Sequence, residues 1–239
     1  MSAREPSDAL VVLPTYNERE NLAAVVGGVR ELGHDVLVVD DGSPDGTGEI
    51  ACELAERDGG VRVLRRASKQ GLGSAYIAGF TDGLDRGYGL FVEMDADGSH
   101  PPEHLDAIVA GARRTGGLCI GSRYINGGSI VGWGTARHLL SWAANVYCRA
   151  ILGLNVHDYT SGYRCYSREV LERIGLDRVV SQGYSFQIEM VYRCSKLGFP
   201  IVETPIRFED RVFGRSKVSE GEVRKALLSV PRLRFGRWP

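Results

Sequence analysis

Two aspartates separated by one small residue form the strongest chemical signal in the chain. Asp95-Ala96-Asp97 follows directly after the apolar run at residues 90–94, so both carboxylates are expected where a buried strand ends. Mg²⁺ and Mn²⁺ prefer oxygen ligands, and two carboxylates leave coordination positions open for water and a diphosphate. Taken alone, the triplet favours a solvated loop that caps the helix at Pro101-Pro102, so the surrounding sequence has to decide.

Polar loops follow two other apolar runs. Residues 14–18 follow the run at residues 10–13, and residues 40–47 follow the run at residues 36–39. The Tyr16 ring could stack on a base, and the carboxylates of Glu18 and Asp41 could accept hydrogen bonds from a base edge or a ribose hydroxyl. A structural interpretation is open for each loop, with Asn17 as a helix N-cap and Ser43 at a helix start.

The elements that position these loops are short apolar runs that alternate with helical patterns. The runs are residues 10–13, 36–39, 61–64, 90–94 and 118–120. Runs that are apolar throughout are typical of parallel strands covered by helices on both faces. Apolar residues at helical spacing follow, for example from Leu22 to Val29 and from Ile77 to Leu84. The pattern predicts an α/β fold with a doubly wound, mostly parallel sheet, whose ligands bind beyond the carboxyl ends of the strands.

Two common nucleotide-binding classes are poorly supported. No Gly-x-Gly-x-x-Gly follows the first strand, and no Gly-x-x-x-x-Gly-Lys occurs in the chain, which disfavours a dinucleotide dehydrogenase and a P-loop enzyme. Gly71-Leu72-Gly73 is interpreted only as a helix entry. The charge of a bound diphosphate would therefore have to be met by a metal and by basic side chains.

Composition indicates a soluble protein. The 239 residues carry a formal net charge of -1, and no run approaches the roughly 18 consecutive apolar residues that span a bilayer. Residues 1–8 lack the apolar core of a secretion signal, so we expect a protein that starts in the cytoplasm. The five cysteines are widely spaced without a Cys-x-x-Cys pair, which predicts neither disulfides nor a zinc site but small buried apolar residues.

The end of the chain is basic and partly apolar. Residues 211–239 contain eight Lys or Arg against Glu220 and Glu222, interspersed with apolar residues from Val223 to Trp238. Two interpretations stay open, a basic amphipathic surface that lies on an acidic membrane and a solvated tail with a few core anchors. We expect Pro231 to interrupt any long helix here.

Five blocks of sequence resemble one family. The blocks are Leu13-Pro14-Thr15-Tyr16-Asn17-Glu18, Val39-Asp40-Asp41-Gly42-Ser43-Pro44-Asp45-Gly46-Thr47, Met94-Asp95-Ala96-Asp97, Gly121-Ser122-Arg123-Tyr124 and Phe208-Glu209-Asp210-Arg211-Val212-Phe213-Gly214-Arg215-Ser216-Lys217. They are similar to the catalytic subunits of dolichol- or polyprenol-phosphate mannosyltransferases in glycosyltransferase family 2. The resemblance implies a nucleotide-sugar-binding fold of glycosyltransferase-A type. It also implies a catalytic domain at residues 1–217, which leaves residues 218–239 as a basic amphipathic C-terminal segment.

The resemblance also implies roles for individual residues. The expected nucleotide contacts are Pro14, Tyr16, Glu18, Val39 and Asp41, and the expected donor and metal contacts are Asp95, Ala96 and Asp97. Ser99 occupies a further metal-binding position at which some relatives have Gln. Arg211 and Lys217 match basic contacts to the donor phosphates, on a loop expected to close over the nucleotide.

The acceptor side of the resemblance falls on Arg123, Arg137 and Ser141. Arginine binds phosphate with two parallel hydrogen bonds, and residues four apart on a helix share a face. Arg137 and Ser141 could therefore grip a lipid-linked phosphate from one side, with Arg123 also near the donor. The rest of that helix is broadly apolar, which core packing explains and which contact with a lipid chain would also explain.

The activity implied by the resemblance is inverting transfer of mannose from GDP-mannose to a dolichyl or polyprenyl phosphate, with Mg²⁺ or Mn²⁺. Asp95, Asp97, Arg123, Arg211 and Lys217 would carry the reaction. We expect the protein at the cytoplasmic face of a membrane, as a peripheral protein that a membrane-anchoring partner could hold, without a nucleic-acid partner. Three alternatives stay open: a UDP-sugar transferase of the same family, a non-catalytic nucleotide-sugar-binding subunit, and a nucleic-acid binder that uses the basic tail.

Overall fold

The computed structural model describes residues 7–210 and 220–236. The strands in these ranges are β1 (Ala9–Thr15), β2 (Asp35–Asp40), β3 (Val61–Arg65), β4 (Leu90–Glu93), β5 (Leu118–Ser122), β6 (Ser129–Val131), β7 (Arg164–Ser167), β8 (Ile201–Pro205) and β9 (Arg207–Glu209). The helices are α1 (Leu22–Glu31), α2 (Thr47–Arg57), α3 (Leu72–Asp85), α4 (Leu105–Thr115), α5 (Thr135–Leu152), α6 (Arg168–Ile174), α7 (Tyr184–Lys196) and α8 (Glu220–Phe235). All five predicted strands and the helices between them are present.

Seven of the described strands form one sheet in the order β3-β2-β1-β4-β7-β5-β8. Strands β1 to β4 pair in parallel, and so do β5 and β8. Strand β7 is antiparallel to both of its neighbours, β4 and β5. The predicted mostly parallel α/β sheet is therefore confirmed.

Both faces of this sheet are covered by helices because the strands are apolar on both sides. On β1, Val11 and Leu13 belong to the same core cluster as Val29 of α1 and residues of α4, whereas Leu10 and Val12 belong to the cluster that contains residues of α3 and α7. Successive side chains of a strand point to opposite faces. This alternation gives the doubly wound architecture.

Helix α3 lies unusually close to the sheet. A Cβ atom added at Gly83 would lie 2.6 Å from Leu10 Cδ2, and one added at Gly79 would overlap Val12 and approach Val39. The two glycines are one helical turn apart, so they form a flat strip on the face of α3 that meets β1. The helix can pack at this distance because neither position carries a side chain.

Strand β7 was not anticipated because its sequence is polar. Arg164 is fully buried in the middle of the sheet. Its guanidinium donates hydrogen bonds to the backbone carbonyls of Tyr159, Ser161 and Gln187, each at 2.7 Å. A buried charge is tolerated when its donors are satisfied, and these three bonds allow a polar segment to become an interior strand.

Pro231 was expected to interrupt a C-terminal helix, and this expectation is wrong. Helix α8 continues through Pro231 to Phe235. A proline cannot donate a backbone hydrogen bond to the carbonyl four residues earlier, which here belongs to Leu227. The Tyr147 hydroxyl of α5 donates to that carbonyl at 2.9 Å, so an interhelical bond replaces the missing intrahelical one.

The described part of the basic C-terminal segment contains both buried and exposed apolar side chains. Val230 is buried in the core, whereas Leu228 and Phe235 are 56% and 77% exposed. The segment therefore anchors itself in the core and also presents apolar side chains outward. None of the helices within residues 7–210 and 220–236 combines the length and the apolar character that a bilayer crossing requires.

The five cysteines form no disulfide, as expected. Cys119, Cys148, Cys165 and Cys194 are buried. Burial raises the pKa of the Cys148 and Cys194 thiols to about 12, so both are protonated and act as small apolar side chains. Cys52 departs from the expectation because it is only half-buried.

The close packing of α3 predicts a difference between two glycine substitutions. Gly79→Ala should lower the free energy of unfolding by roughly 1–3 kcal/mol, because the added methyl group overlaps the sheet. Gly27→Ala in α1 is the matched control, since nothing lies within 4 Å of the added atom, and it should raise stability by about 0.5–1 kcal/mol. Urea unfolding measures both, and equal stabilities of the two variants would contradict this packing.

Candidate active site

Loops at the carboxyl ends of β1, β2 and β4 line a cavity of about 330 Å³ with both polar and apolar walls, here called the donor cavity. Its walls include seven residues that the sequence predicted for nucleotide or metal binding, namely Pro14, Tyr16, Glu18, Asp41, Asp95, Ala96 and Asp97. Among the described residues, the lining does not include Val39, which is fully buried in the core, or Ser99, which is 2% exposed. The edge of a parallel sheet thus gathers three separate loops into one site.

The two adjacent aspartates after β2 differ in what they contact. Asp40 is fully buried and accepts hydrogen bonds from the Thr15 hydroxyl and from the Ser43 backbone N–H, both at 3.1 Å. Asp41 lines the cavity and forms an ion pair with Arg66 at 2.9 Å. Asp40 therefore holds the loop in place, while Asp41 offers a carboxylate whose charge is already partly offset.

The loop that carries Asp95 and Asp97 is held by its own polar contacts. The Asp95 backbone N–H donates to Nδ1 of His100 at 3.0 Å, and the Ser99 backbone N–H donates to Oδ1 of Asp97 at 3.0 Å. The Tyr76 hydroxyl donates to Oδ1 of Asp95 at 3.3 Å. These bonds fix the backbone of the loop and leave carboxylate oxygens of both aspartates at the cavity wall.

His100 was not singled out from the sequence, yet it holds this loop. It is buried, with its ring stacked on Tyr163 at a centroid distance of 4.9 Å. Burial lowers the pKa of His100 to about 4, although the neighbouring Asp97 acts in the opposite direction. The ring is therefore neutral at pH 7, which leaves Nδ1 free to accept the Asp95 N–H and places the proton on Nε2.

The residues of this wall fit a divalent metal that is shared with a phosphate ligand. Asp95 and Asp97 supply two carboxylates, and no group of three or more His, Cys, Asp or Glu suited to a metal occurs in the described part of the chain. Mg²⁺ is commonly held by one or two carboxylates together with water and substrate phosphates. The Ser99 hydroxyl is a further possible metal ligand, although Ser99 does not line the cavity.

Glu93 lies two residues before Asp95 and is fully buried. Burial raises the pKa of its carboxyl to about 7, although Arg164 opposes this shift. A carboxyl with such a pKa is partly protonated at neutral pH. At neutral pH the Glu93 side chain therefore carries less than a full negative charge.

Several cavity residues were missed by sequence reasoning. Lys69 follows β3, and its Nζ lies 4.4 Å from the centroid of the Tyr16 ring. The sequence could have indicated Lys69, because it follows β3. Since β3 is parallel to β2, the two strands end at the same edge of the sheet. Gln182 and Gln187 also line the cavity, but no motif marks them, since they come from the start of α7 and the loop before it.

Arg123, at the end of β5, is held by a buried ion pair. Its Nε and one terminal nitrogen donate to the two carboxylate oxygens of Asp158, both at 2.7 Å. The same terminal nitrogen donates to the Thr160 hydroxyl at 2.8 Å. Burial opposes the charges, but the pairing keeps the pKa of Arg123 raised and the pKa of Asp158 lowered, so both groups are charged at pH 7.

A second cavity of about 430 Å³, here called the acceptor cavity, lies between α5, α7 and α8. Arg123, Arg137 and Ser141 all line it, as the sequence predicted for an acceptor phosphate. Arg137 lies over the Trp133 ring, 4.0 Å from its centroid, and forms an ion pair with Asp210 at 3.0 Å. The remaining wall is mostly apolar, with Leu140, Ala144, Cys148, Ile188, Leu227 and Val230.

The two cavities adjoin one another. Thr160 and Tyr184 line both of them, so the donor cavity and the largely apolar acceptor cavity share one wall. Arginine side chains lie on the acceptor side of this junction and carboxylates on the donor side.

Arg211 and Lys217 lie outside the described residues, and their assignment to the donor phosphates stays a prediction.

Comparison with known proteins identifies the family of this chain. The model of the family "Glycosyl transferase family 2" matches residues 10–175. The chain is 52% identical over 236 residues to a polyprenol monophosphomannose synthase of Mycolicibacterium smegmatis, a match that covers 96% of this chain and 88% of the relative. It is 51% identical over 225 residues to an undecaprenyl-phosphate mannosyltransferase of Micrococcus luteus, covering 93% of this chain and 92% of the relative.

Solved structures share the fold at low sequence identity. Glucosyl-3-phosphoglycerate synthase from Mycobacterium tuberculosis, in complex with Mn²⁺, UDP-glucose and phosphoglyceric acid, has a TM-score of 0.64 at 20% identity over 95% of this chain and 79% of that chain. A mannosyltransferase from Pyrobaculum calidifontis, in complex with GDP-Man and Mn²⁺, has a TM-score of 0.59 at 16% identity over 95% of this chain and 70% of that chain. The predicted fold of glycosyltransferase-A type is confirmed by these likenesses.

The buried ion pair predicts a large effect of one substitution. Asp158→Asn should lower the free energy of unfolding by roughly 3–5 kcal/mol, because it leaves the buried guanidinium of Arg123 without a counter-charge. The exposed Asp85 provides a control, since Asp85→Asn should change stability by less than about 0.5 kcal/mol. Urea unfolding at pH 7 measures the difference.

The same pair predicts how this effect depends on pH. Since the folded pKa of Asp158 is lowered, its contribution is fully present above the unfolded value of about 3.9 and is lost as the pH falls through the folded pKa. The stability gap between wild type and Asp158→Asn should therefore narrow below about pH 4. A gap that stayed constant down to pH 2 would show that the charge of Asp158 does not stabilise the fold.

Proposed function

Because the chain belongs to glycosyl transferase family 2, we propose that it transfers mannose from GDP-mannose to a polyprenyl monophosphate with inversion of configuration at the anomeric carbon. The sugar and the acceptor type are supported by the names of two relatives at 51% and 52% identity. The nucleotide is supported by the fold neighbour in complex with GDP-Man.

The observation that carries the proposal is the shared wall of the two cavities at Thr160 and Tyr184. A polyprenyl phosphate is an amphiphile with an anionic head and a purely apolar chain. The acceptor cavity has the matching character, with two guanidinium groups and apolar walls between α5, α7 and α8, and Arg123 bonds to Thr160 at the junction. A lipid phosphate held at Arg123 and Arg137 would thus face a sugar held in the donor cavity.

The acceptor needs no general base. A phosphate monoester has a second pKa of about 6, so it is largely dianionic at pH 7 and its oxygen is already a nucleophile. The task of the protein is to hold two anionic substrates together. Arg137 would do this by exchanging its present partner, Asp210, for the lipid phosphate, while Arg123 stays fixed by Asp158.

Stabilisation of the leaving GDP is the second task. Asp95 and Asp97 would hold a divalent cation, Mg²⁺ or Mn²⁺, which supplies positive charge to the diphosphate when bound. Lys69 lies in the same cavity and would add a further cation near the nucleotide. Arg211 and Lys217 are proposed to complete this set of charges.

We further propose that the protein works as a peripheral protein at the cytoplasmic face of a membrane. Leu139 and Trp142 of α5 and Leu228 and Phe235 of α8 are each more than half exposed. Exposed basic residues accompany them at the end of α8, namely Arg232 and Arg234. An apolar surface with a basic rim suits the surface of an anionic bilayer, where the lipid acceptor is found.

The test is mannose transfer from radiolabelled GDP-mannose to a short polyprenyl phosphate in detergent. Parallel reactions contain Mg²⁺, Mn²⁺ or EDTA, and UDP-glucose replaces GDP-mannose in one series. Metal-dependent labelling of the lipid from GDP-mannose is the expected result. Transfer from UDP-glucose alone would assign a different donor to the same site, and transfer from neither would contradict the proposed activity.

Removal of one metal-binding carboxylate should abolish this reaction. Asp97→Asn is expected to reduce kcat/KM by at least about 100-fold, because the diphosphate would lose the charge that stabilises its departure. Asp85→Asn, at the exposed end of α3, should retain wild-type turnover. Turnover of Asp97→Asn within a few-fold of wild type would show that the metal role assigned to this residue is wrong.

Removal of an acceptor arginine should affect the lipid and not the donor. Arg137→Ala is expected to raise KM for the polyprenyl phosphate by roughly 10- to 100-fold, with little change in the dissociation constant of GDP-mannose. Arg149→Ala removes an exposed arginine from the same helix and serves as the control. If Arg137→Ala raised KM for the lipid and the dissociation constant of GDP-mannose by the same factor, the acceptor assignment would be contradicted.

A further inference from the structure

Helix α8 forms part of the wall of the acceptor cavity although a proline lies inside it. Leu227 and Val230 line the cavity from α8, and Pro231 is the next residue. Because a proline donates no backbone hydrogen bond, the Leu227 carbonyl loses its intrahelical partner at the point where the helix borders the cavity. This carbonyl lies on the exposed side of the helix, so its partner can be water or a donor from a neighbouring helix.

Tyr147 of α5 supplies the missing donor. Its hydroxyl donates to the Leu227 carbonyl at 2.9 Å, and Tyr147 itself lines the same cavity. The bond therefore links the two opposite helices α5 and α8 across the edge of the compartment. Elsewhere α8 is held by the buried side chain of Val230 and by a hydrogen bond between the Ser229 and Ser185 hydroxyls at 3.2 Å.

We propose that Tyr147 and Pro231 act together to set the width of the acceptor cavity, which makes Tyr147 a positioning residue for the isoprenoid chain. Pro231 frees the Leu227 carbonyl, and Tyr147 uses it to dock α8 at a fixed distance from α5. In a helix without proline, the backbone N–H of residue 231 would bond to this carbonyl. Helix α8 would then have no polar contact to α5 at this point. The inference rests on the proposed function only in that the occupant of the cavity is the lipid chain.

The first test is Tyr147→Phe, which removes the hydroxyl and keeps the ring. KM for a short polyprenyl phosphate should rise about fivefold to tenfold, as expected for the loss of one hydrogen bond between α5 and α8. The turnover rate at saturating lipid and the dissociation constant of GDP-mannose should stay at wild-type values. Tyr88→Phe is the matched control, because that hydroxyl bonds to Asp35, which lines neither cavity.

The second test restores the backbone donor. Pro231→Ala supplies an N–H that can bond to the Leu227 carbonyl within α8. In this background Tyr147→Phe should raise KM for the lipid by no more than about twofold, since the carbonyl no longer depends on the tyrosine. An equal rise in both backgrounds would overturn the inference, because the hydroxyl would then act on the lipid or elsewhere and not through Leu227.

Hydrogen exchange distinguishes failure of this inference from failure of the proposed function. Backbone amides of α8 from residue 228 onward should exchange faster in Tyr147→Phe than in wild type, and Pro231→Ala should reverse the increase. Unchanged exchange would overturn the docking role whatever the activity. Faster exchange with an unchanged lipid KM would overturn the link to the acceptor, whereas a wild-type protein that transfers no mannose would refute the proposed function separately.

Discussion

The buried ion pair between Arg123 and Asp158 is the interaction on which the candidate site depends. It fixes the end of β5 against the chain that leads into β7, and it orients the Thr160 hydroxyl at the wall between the two cavities. Glu203 of β8 accepts the backbone N–H of Asp158 at 3.0 Å, so three neighbouring strands meet at this point. A buried pair of this kind contributes little net stability by itself, but removal of either partner is strongly destabilising.

Three charged residues that line the two cavities each form an ion pair within the protein. Asp41 has Arg66, Arg123 has Asp158 and Arg137 has Asp210. Of these pairs the last is the most accessible, with both side chains about one third exposed. In the proposed function, an incoming phosphate would displace Asp210 from Arg137 at modest cost, whereas the buried pair would keep its geometry. The anionic acceptor would then meet one fixed and one exchangeable guanidinium.

Much of the fold could be predicted because its strands are short and apolar on both faces, and because the polar loops at their ends carry unusual residue types. The carboxylates of the donor cavity were predictable for the same reason, whereas the arginines of the acceptor cavity were predicted from the family resemblance. Strand β7 was not predicted, since its buried Arg164 is satisfied by the backbone carbonyls of Tyr159, Ser161 and Gln187, which the fold brings into reach. The different contacts of Asp40 and Asp41, the loop contact of His100 and the continuation of α8 through Pro231 all depend on tertiary partners that no local pattern contains.

The central claim is that donor and acceptor occupy two adjoining cavities that meet at Thr160 and Tyr184. A crystal structure of the protein with GDP, Mn²⁺ and a short polyprenyl phosphate tests it most directly. The account predicts the diphosphate and the metal at Asp95 and Asp97, the lipid phosphate at Arg123 and Arg137, and the first isoprene units between α5, α7 and α8. A lipid phosphate bound away from both arginines, or an isoprenoid chain outside the acceptor cavity, would contradict it.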